Sequence, residues 1–454
     1  MDNKEIILEL VNKARKAQKS IENYSQDEVD KLVKIIGKVV YDNAEELARM
    51  AVDESRMGVY EDKVAKNKAK AKLIWNDLKD KKSVGIIKED KEEALIYVAK
   101  SIGIVGAATP CTNPIVTPMC NAMFAIKGRN AIIIAPHPRT KKCSYETVRR
   151  INEELKKVNA PENLIQIIEE PSKELRNELM KNVDAIVATG GMGVVRAAYS
   201  SGKPSYGVGV GNVQVILDKD IDFEESAEKI INGRKFDNGI ICSGEQTIIV
   251  PKKNYQEVIE AFKKKGAFYI EDQKIVDKFR NTIFVDGVIN RDIVGQSVQF
   301  IAEKAGVLVP LETKVVILKA KGPGKDDILS KEKLCPYMAV FEYEDFEEAV
   351  KIAQSNLNIE GSGHSAAIHS NNEEHIKYAG EKLLISRLVV NQSSSTTAGG
   401  SFYNSFAPTT TLGCGSWGNN SISENLTYKH LINISRIGLV KENVKVPSDD
   451  EIWS

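Results

Sequence analysis

The sequence predicts an α/β protein built on parallel, doubly wound sheet. Short apolar runs such as Ala131-Ile-Ile-Ile-Ala135 and Ala185-Ile-Val-Ala-Thr189 alternate with amphipathic helical stretches. A strand-helix-strand rhythm of this kind requires parallel strands joined by crossovers. The length, 454 residues, allows two to four domains at roughly 100–200 residues each.

The elements follow in order. Ser25-Gln-Asp-Glu28 is a capping box, and Val29, Leu32, Val33, Ile36 and Val40 continue it at helical spacing. Lys-rich helical sequence runs on to about Lys81, and Val84 to Ala99 reads as strand or hairpin. The first α/β series places strands at Ala131–Ala135, Leu164–Ile168, Ala185–Thr189 and Val213–Leu217, the last closing the series. Helices fall near Ser144–Val158, Lys173–Lys181 and Val194. After a helix around Glu224–Gly233, a second series has strands near Thr247–Val250, Lys314–Leu318, Met338–Glu342, Ala366–His369 and Leu388–Asn391. A turn-rich stretch, Gln392–Asn420, precedes a tail, Tyr428–Val440, that reads as a strand free to pair with a neighbour.

Composition narrows the partners. Lys+Arg 63 balance Asp+Glu 63, which argues against nucleic acid or an anionic membrane surface as partner. The charged start lacks a signal-peptide core, and no run approaches the roughly 18 apolar residues of a membrane span. Cys111, Cys120, Cys143, Cys242, Cys335 and Cys414 are widely scattered, with no C-x-x-C pair. That pattern fits free thiols in a reducing cytoplasm and suggests no metal site.

Five segments have residues suited to chemistry. Cys242 follows a glycine-containing turn in Phe236-Asp-Asn-Gly-Ile-Ile-Cys242-Ser-Gly-Glu-Gln246. Such a turn presents a thiol, and nearby backbone N–H groups favour the thiolate, although a buried structural cysteine has the same local signature. Asn113, in a loop with two prolines, is placed either as an oxyanion donor or as a turn residue before Pro114. Thr189-Gly-Gly-Met-Gly193 lets backbone N–H groups approach a pyrophosphate, or forms an ordinary tight turn. Ala135-Pro-His-Pro-Arg139 ends a strand where an adenosine ribose would lie. It offers no carboxylate for a ribose diol but has Arg139, Lys141 and Lys142 close by. His364, in Gly361-Ser-Gly-His364-Ser, sits at a pocket mouth or in the core.

Together these segments resemble the CoA-acylating branch of the aldehyde dehydrogenase superfamily. The Cys242 segment carries the resemblance with Thr411-Leu-Gly-Cys-Gly-Ser-Trp-Gly-Asn-Asn420-Ser-Ile-Ser-Glu-Asn425. Within that branch, Val39–Ala44, Gly58–Ala65, Ser395–Ser401 and Val446–Trp453 are most similar to the clostridial type that acts on succinate semialdehyde.

The resemblance implies an aldehyde dehydrogenase fold. A Rossmann-like cofactor domain would span 1–82 and 99–234 and a catalytic α/β domain 235–425. Oligomerisation elements at 83–98 and 426–454 would build a homodimer or homotetramer. It implies Cys242 as nucleophile, Asn113 in the oxyanion hole and His364 near the CoA thiol. Thr109, Pro110, His137, Pro138, Arg139, Thr189, Gly190, Gly191, Gly193, Gly209, Glu332 and Pro336 would contact the cofactor, with NADP favoured and NAD possible. Ser243, Arg387, Ser393, Gly399 and Gly400 are the candidates around the substrate carboxylate, although Arg387 reads rather more readily as a structural arginine at a strand start.

One departure bears on mechanism. Hydrolytic members carry a base glutamate where this chain has Tyr206-Gly-Val-Gly-Val-Gly-Asn212. Without it, a thioester should outlast water and await a thiol such as coenzyme A. The expected reaction interconverts succinate semialdehyde, CoA and NAD(P)+ with succinyl-CoA and NAD(P)H. The competing readings are a dehydrogenase for a short neutral aldehyde and an inactive nucleotide-binding homologue.

Overall fold

A computed structural model describes residues 2–442 and 444–454. Two parallel sheets organise it. The first has five strands in the spatial order Ile165–Ile167, Ala131–Ala135, Ile104–Ala108, Ala185–Thr189, Ser205–Val208. The chain leaves Ile104–Ala108 towards one edge and returns beside it at Ala185–Thr189. That reversal is a topological switch point, where the loops after both strands open a crevice. Thr109–Asn113 and Gly190–Gly191 are those loops.

The second sheet has seven strands, Ala267–Ile270, Val315–Lys319, Tyr337–Tyr343, Glu245–Pro251, Val213–Leu217, Gly363–His369 and Ile385–Val390. Every neighbouring pair is parallel. Val213–Leu217 therefore belongs here and does not close the first series, which ends on Ser205–Val208. An apolar run shows that a strand is buried but not which sheet buries it. The glycine-rich stretch 209–212 carries the chain across. The edge strand Ala267–Ile270 is an addition to the predicted set.

Local signals held well. Ser25 Oγ accepts from the Glu28 N–H while the Glu28 carboxylate accepts from the Ser25 N–H, opening the helix Gln26–Asp42. Its five predicted apolar positions are all buried. Gly85–Asp90 and Leu95–Ser101 form the expected hairpin, and Ile432–Gly438 pairs antiparallel with Leu95–Ser101 of its own chain. Among the described residues no helix is long and apolar enough to cross a membrane.

The helix Tyr60–Leu78 matters most for the site. Its Lys-rich sequence suggests a solvated rod, yet Lys63 and Lys66 are buried. Their partner lies in the cysteine loop.

Candidate active site

The helix Phe223–Lys235 ends at a turn in which Asp237, Asn238 and Gly239 all take left-handed backbone, at φ 51°, 52° and 69°. For the two non-glycine residues this costs about 1–2 kcal/mol each. Asp237 supplies the compensation. Its carboxylate accepts from the Val59 N–H (2.9 Å), Lys63 Nζ (3.0 Å) and Lys66 Nζ (2.6 Å). Its own N–H donates to Asp62 (2.7 Å). Although burial opposes ionisation, the Lys66 and Lys63 ammoniums hold its carboxyl below the usual aspartate value. Gly58 lets the chains approach, since a Cβ there would lie 1.9 Å from Asp237 Oδ1.

This anchored turn leads into Cys242, which is partly exposed. Its carbonyl packs on Gly211, where a Cβ would come within 1.9 Å. Burial, the Glu332 carboxyl and the Cys414 thiol push the Cys242 thiol up to about 12. Arg387 and the cysteine's own backbone N–H work the other way. The backbone N–H favours the thiolate as expected, and in the free protein desolvation outweighs it.

Asn113 meets the cysteine loop through a lysine. Lys66 Nζ donates to Asn113 Oδ1 at 2.7 Å while also binding Asp237. Lys66 can only donate, so this contact fixes which end of the amide is which. Among the described residues Nδ2 meets no acceptor and can donate elsewhere, as an oxyanion donor must. Burial holds the Lys66 ammonium down to about 8, with Asp237 opposing the fall.

The loops at the switch point fit a nicotinamide dinucleotide. A Cβ added at Gly191 or Gly193 would meet nothing within 4 Å, so open space faces the start of the helix Met192–Tyr199. Backbone N–H groups there suit a pyrophosphate. Thr109 has a buried hydroxyl without a partner among the described residues, and Thr189 bonds Thr411 at 2.8 Å. Gly209 packs against Met192. At the ribose segment, His137 Nδ1 accepts from the Arg139 N–H (3.1 Å), with Pro138 between them. Among the described residues the Arg139 guanidinium donates only to the Ser55 carbonyl (3.2 Å), whereas Lys141 is paired with Glu170. Glu54 is the carboxylate that the segment itself lacks. Both its oxygens accept from the Lys142 and Cys143 N–H groups at 2.8 Å.

Glu332 lies just upstream of Pro336. Its carboxyl accepts from the Gly211 N–H at 3.2 Å, and burial together with Glu360 raises its pKa well above the ordinary value.

A presented cysteine, an oriented amide and a dinucleotide crevice thus converge on one region. The sequence profile of the aldehyde dehydrogenase family matches residues 2–404. The chain belongs to the aldehyde dehydrogenase family.

Within that family the chain is 62% identical over 453 residues, 100% of each chain, to a succinate-semialdehyde dehydrogenase (acetylating) of Clostridium kluyveri. The crystal structure of an acetylating aldehyde dehydrogenase from Geobacillus thermoglucosidasius superposes with a TM-score of 0.94 at 37% identity, covering 98% of both chains. A propionaldehyde dehydrogenase of Rhodopseudomonas palustris, solved with bound CoA and an acylated cysteine, gives 0.85 at 27% identity, covering 95% of this chain and 97% of that one.

The residues expected around the aldehyde's far end divide in two. Arg387 is buried and engaged. Nε donates to Ser365 Oγ, NH1 to Asn425 Oδ1, and NH2 to the His364 and Gly413 carbonyls, all within 3.1 Å. It fastens the strands Gly363–His369 and Ile385–Val390 to the turn-rich segment, which favours the structural reading. Ser243 Oγ donates to the Ser395 carbonyl (3.4 Å), and Ser393 Oγ to Glu245 (3.3 Å). Gly399 accepts from Lys70, and Gly400 takes φ +86° against Pro408. His364 is fully buried, with Nδ1 on Ser365 Oγ (3.1 Å) and Nε2 without a partner among the described residues. Burial and Arg387 lower it to about 3.

Sequence reasoning missed Lys66, Asp237 and Glu54 in this aldehyde dehydrogenase. The one available signal was the spacing Lys63, Lys66, Lys70, which places three cations on one helix face.

Proposed function

We propose that this chain is a CoA-acylating dehydrogenase. It interconverts succinate semialdehyde, CoA and NAD(P)+ with succinyl-CoA and NAD(P)H through a thioester on Cys242. The observation that carries the acylating assignment is the chemistry beside the thiol. The 206–212 segment has no carboxylate to draw a proton from water, and Glu332, the carboxyl that reaches it, is engaged by the Gly211 N–H. The full-length likeness to the Clostridium kluyveri enzyme supports succinate semialdehyde as the aldehyde.

In this reading the Cys242 sulfur attacks the aldehyde carbon. Asn113 Nδ2, oriented by Lys66, and the Cys242 N–H receive the oxyanion. The nicotinamide, when bound, supplies the hydride acceptor and a positive charge that favours the thiolate. The thioester then waits for the CoA thiol. His364, neutral at physiological pH, steers that thiol by accepting a hydrogen bond through Nε2.

Arg139 supports NADP as the preferred cofactor, being without a carboxylate partner among the described residues, while the Glu54 oxygens are already engaged. The sheet of Gly85–Asp90, Leu95–Ser101 and Ile432–Gly438, with Ile86 and Ile437 exposed, is the proposed oligomerisation element of a homodimer or homotetramer. A cytoplasmic setting fits the six free thiols.

Initial rates with succinate semialdehyde and butyraldehyde, each with NADP and NAD in the presence of CoA, test the reading. The expected kcat/KM favours succinate semialdehyde by at least about 10-fold, the lower end for one charge-assisted hydrogen bond. It also favours NADP. Equal or better turnover of butyraldehyde contradicts the substrate assignment.

A further inference from the structure

The helix Tyr60–Leu78 carries Lys63, Lys66 and Lys70 on one face. The first two share the Asp237 carboxylate. Lys70 is different. It has no carboxylate within ion-pair distance among the described residues, and its Nζ donates only to the Gly399 (2.7 Å) and Thr409 (3.2 Å) carbonyls. An ammonium has three donors, so one N–H is left over.

The surroundings tie that cation to the segment that the cysteine loop contacts. Ala398 and Leu412, next to the two carbonyl loops, pack in the same apolar cluster as Cys242. Ser243, the residue after the nucleophile, donates to Ser395 in the segment leading to Gly399. The Cys120 and Cys242 thiols oppose the loss of the Lys70 charge. Burial lowers the Lys70 ammonium to about 8, so it is still mainly cationic at neutral pH. A half-buried cation held by two carbonyl dipoles, with no anion on it among the described residues, is a site prepared for an incoming carboxylate. Arg387, the other cation near the thiol, is committed to four protein acceptors.

We propose that Lys70 is the specificity determinant for the aldehyde's distal carboxylate, binding it through its remaining N–H while Cys242 attacks the other end of the molecule. The inference rests on the reading that succinate semialdehyde is the substrate.

Two variants separate charge from scaffolding. Lys70→Gln keeps N–H donors for the Gly399 and Thr409 carbonyls but has no charge, and Lys70→Met keeps neither. Wild type and both variants are assayed with succinate semialdehyde and with butyraldehyde, in the presence of CoA and NADP. In Lys70→Gln, kcat/KM for succinate semialdehyde is expected to fall about 30-fold, within the range for losing a charge-assisted hydrogen bond. The loss should fall mainly in KM, with butyraldehyde turnover within about 3-fold of wild type on the same grounds. Lys70→Met should show the same selective loss. Equal losses on both aldehydes in Lys70→Gln would assign Lys70 a structural role and overturn the proposal. An unchanged preference for succinate semialdehyde in that variant would overturn it too. A wild type that does not prefer succinate semialdehyde removes the substrate reading itself, and the Lys70 assignment with it.

Discussion

Replacing Cys242 with alanine is expected to lower kcat/KM for succinate semialdehyde by about 10⁴-fold or more, the scale set by losing a nucleophile. At 1.36 kcal/mol per decade this is roughly 5.5 kcal/mol of transition-state stabilisation. The loss should fall on the chemical step alone. The carbonyl that packs on Gly211 is backbone, so the variant should keep its fold and still bind NADP. Near-UV circular dichroism and cofactor fluorescence titration check both points. The other thiols near the centre do not substitute. Cys414 and Cys335 are buried, so neither is presented to an aldehyde as the partly exposed Cys242 is. Activity within a few-fold of wild type would place the nucleophile elsewhere.

The second large effect concerns Asp237, which touches no substrate in this account. Asp237→Asn removes the carboxylate that two buried lysines share. Breaking a buried ion pair by removing one partner costs about 3–5 kcal/mol, because the remaining charge has no compensation. The midpoint of urea unfolding should fall accordingly. Activity should fall as well, because Lys66 holds the Asn113 amide while bound to Asp237. Loss of an oxyanion donor costs roughly 10²–10³ in kcat, and a misplaced Asn113 should approach that. KM for the aldehyde should change little. A variant with wild-type kcat and stability would show that the Lys66–Asp237 pair does not hold the site.

The sign with pH follows from Asp237's lowered pKa. Its folded value lies below the unfolded one, so its contribution to stability is present above about pH 4. It is lost as pH falls through the folded value.

Legibility in the sequence tracked how local each determinant is. The capping box at Ser25 and Glu28 depends on three residues of separation and was readable. The strands Ala131–Ala135 and Ala185–Thr189 were readable because both faces are buried, leaving uninterrupted apolar runs. Val213–Leu217 was recognisable as a strand, but its partners Glu245–Pro251 and Gly363–His369 are fixed by long-range packing. At the site, residue type suggested chemistry for Cys242 and Asn113, and family resemblance supplied their roles. What could not be read was occupancy. Arg387 and Lys70 both look like free cations in the sequence, yet one meets four acceptors and the other two carbonyls. Lys66 and Asp237 lie 171 positions apart, so nothing in either segment announces the pair.

The central claim is that the acyl group stays on Cys242 until a thiol removes it. A rapid-mixing experiment with succinate semialdehyde and NADP, without CoA, tests it directly. The predicted record is a burst of NADPH of about one equivalent per active site, followed by a stall that ends on adding CoA. Steady NADPH formation without CoA, with succinate accumulating, would contradict it.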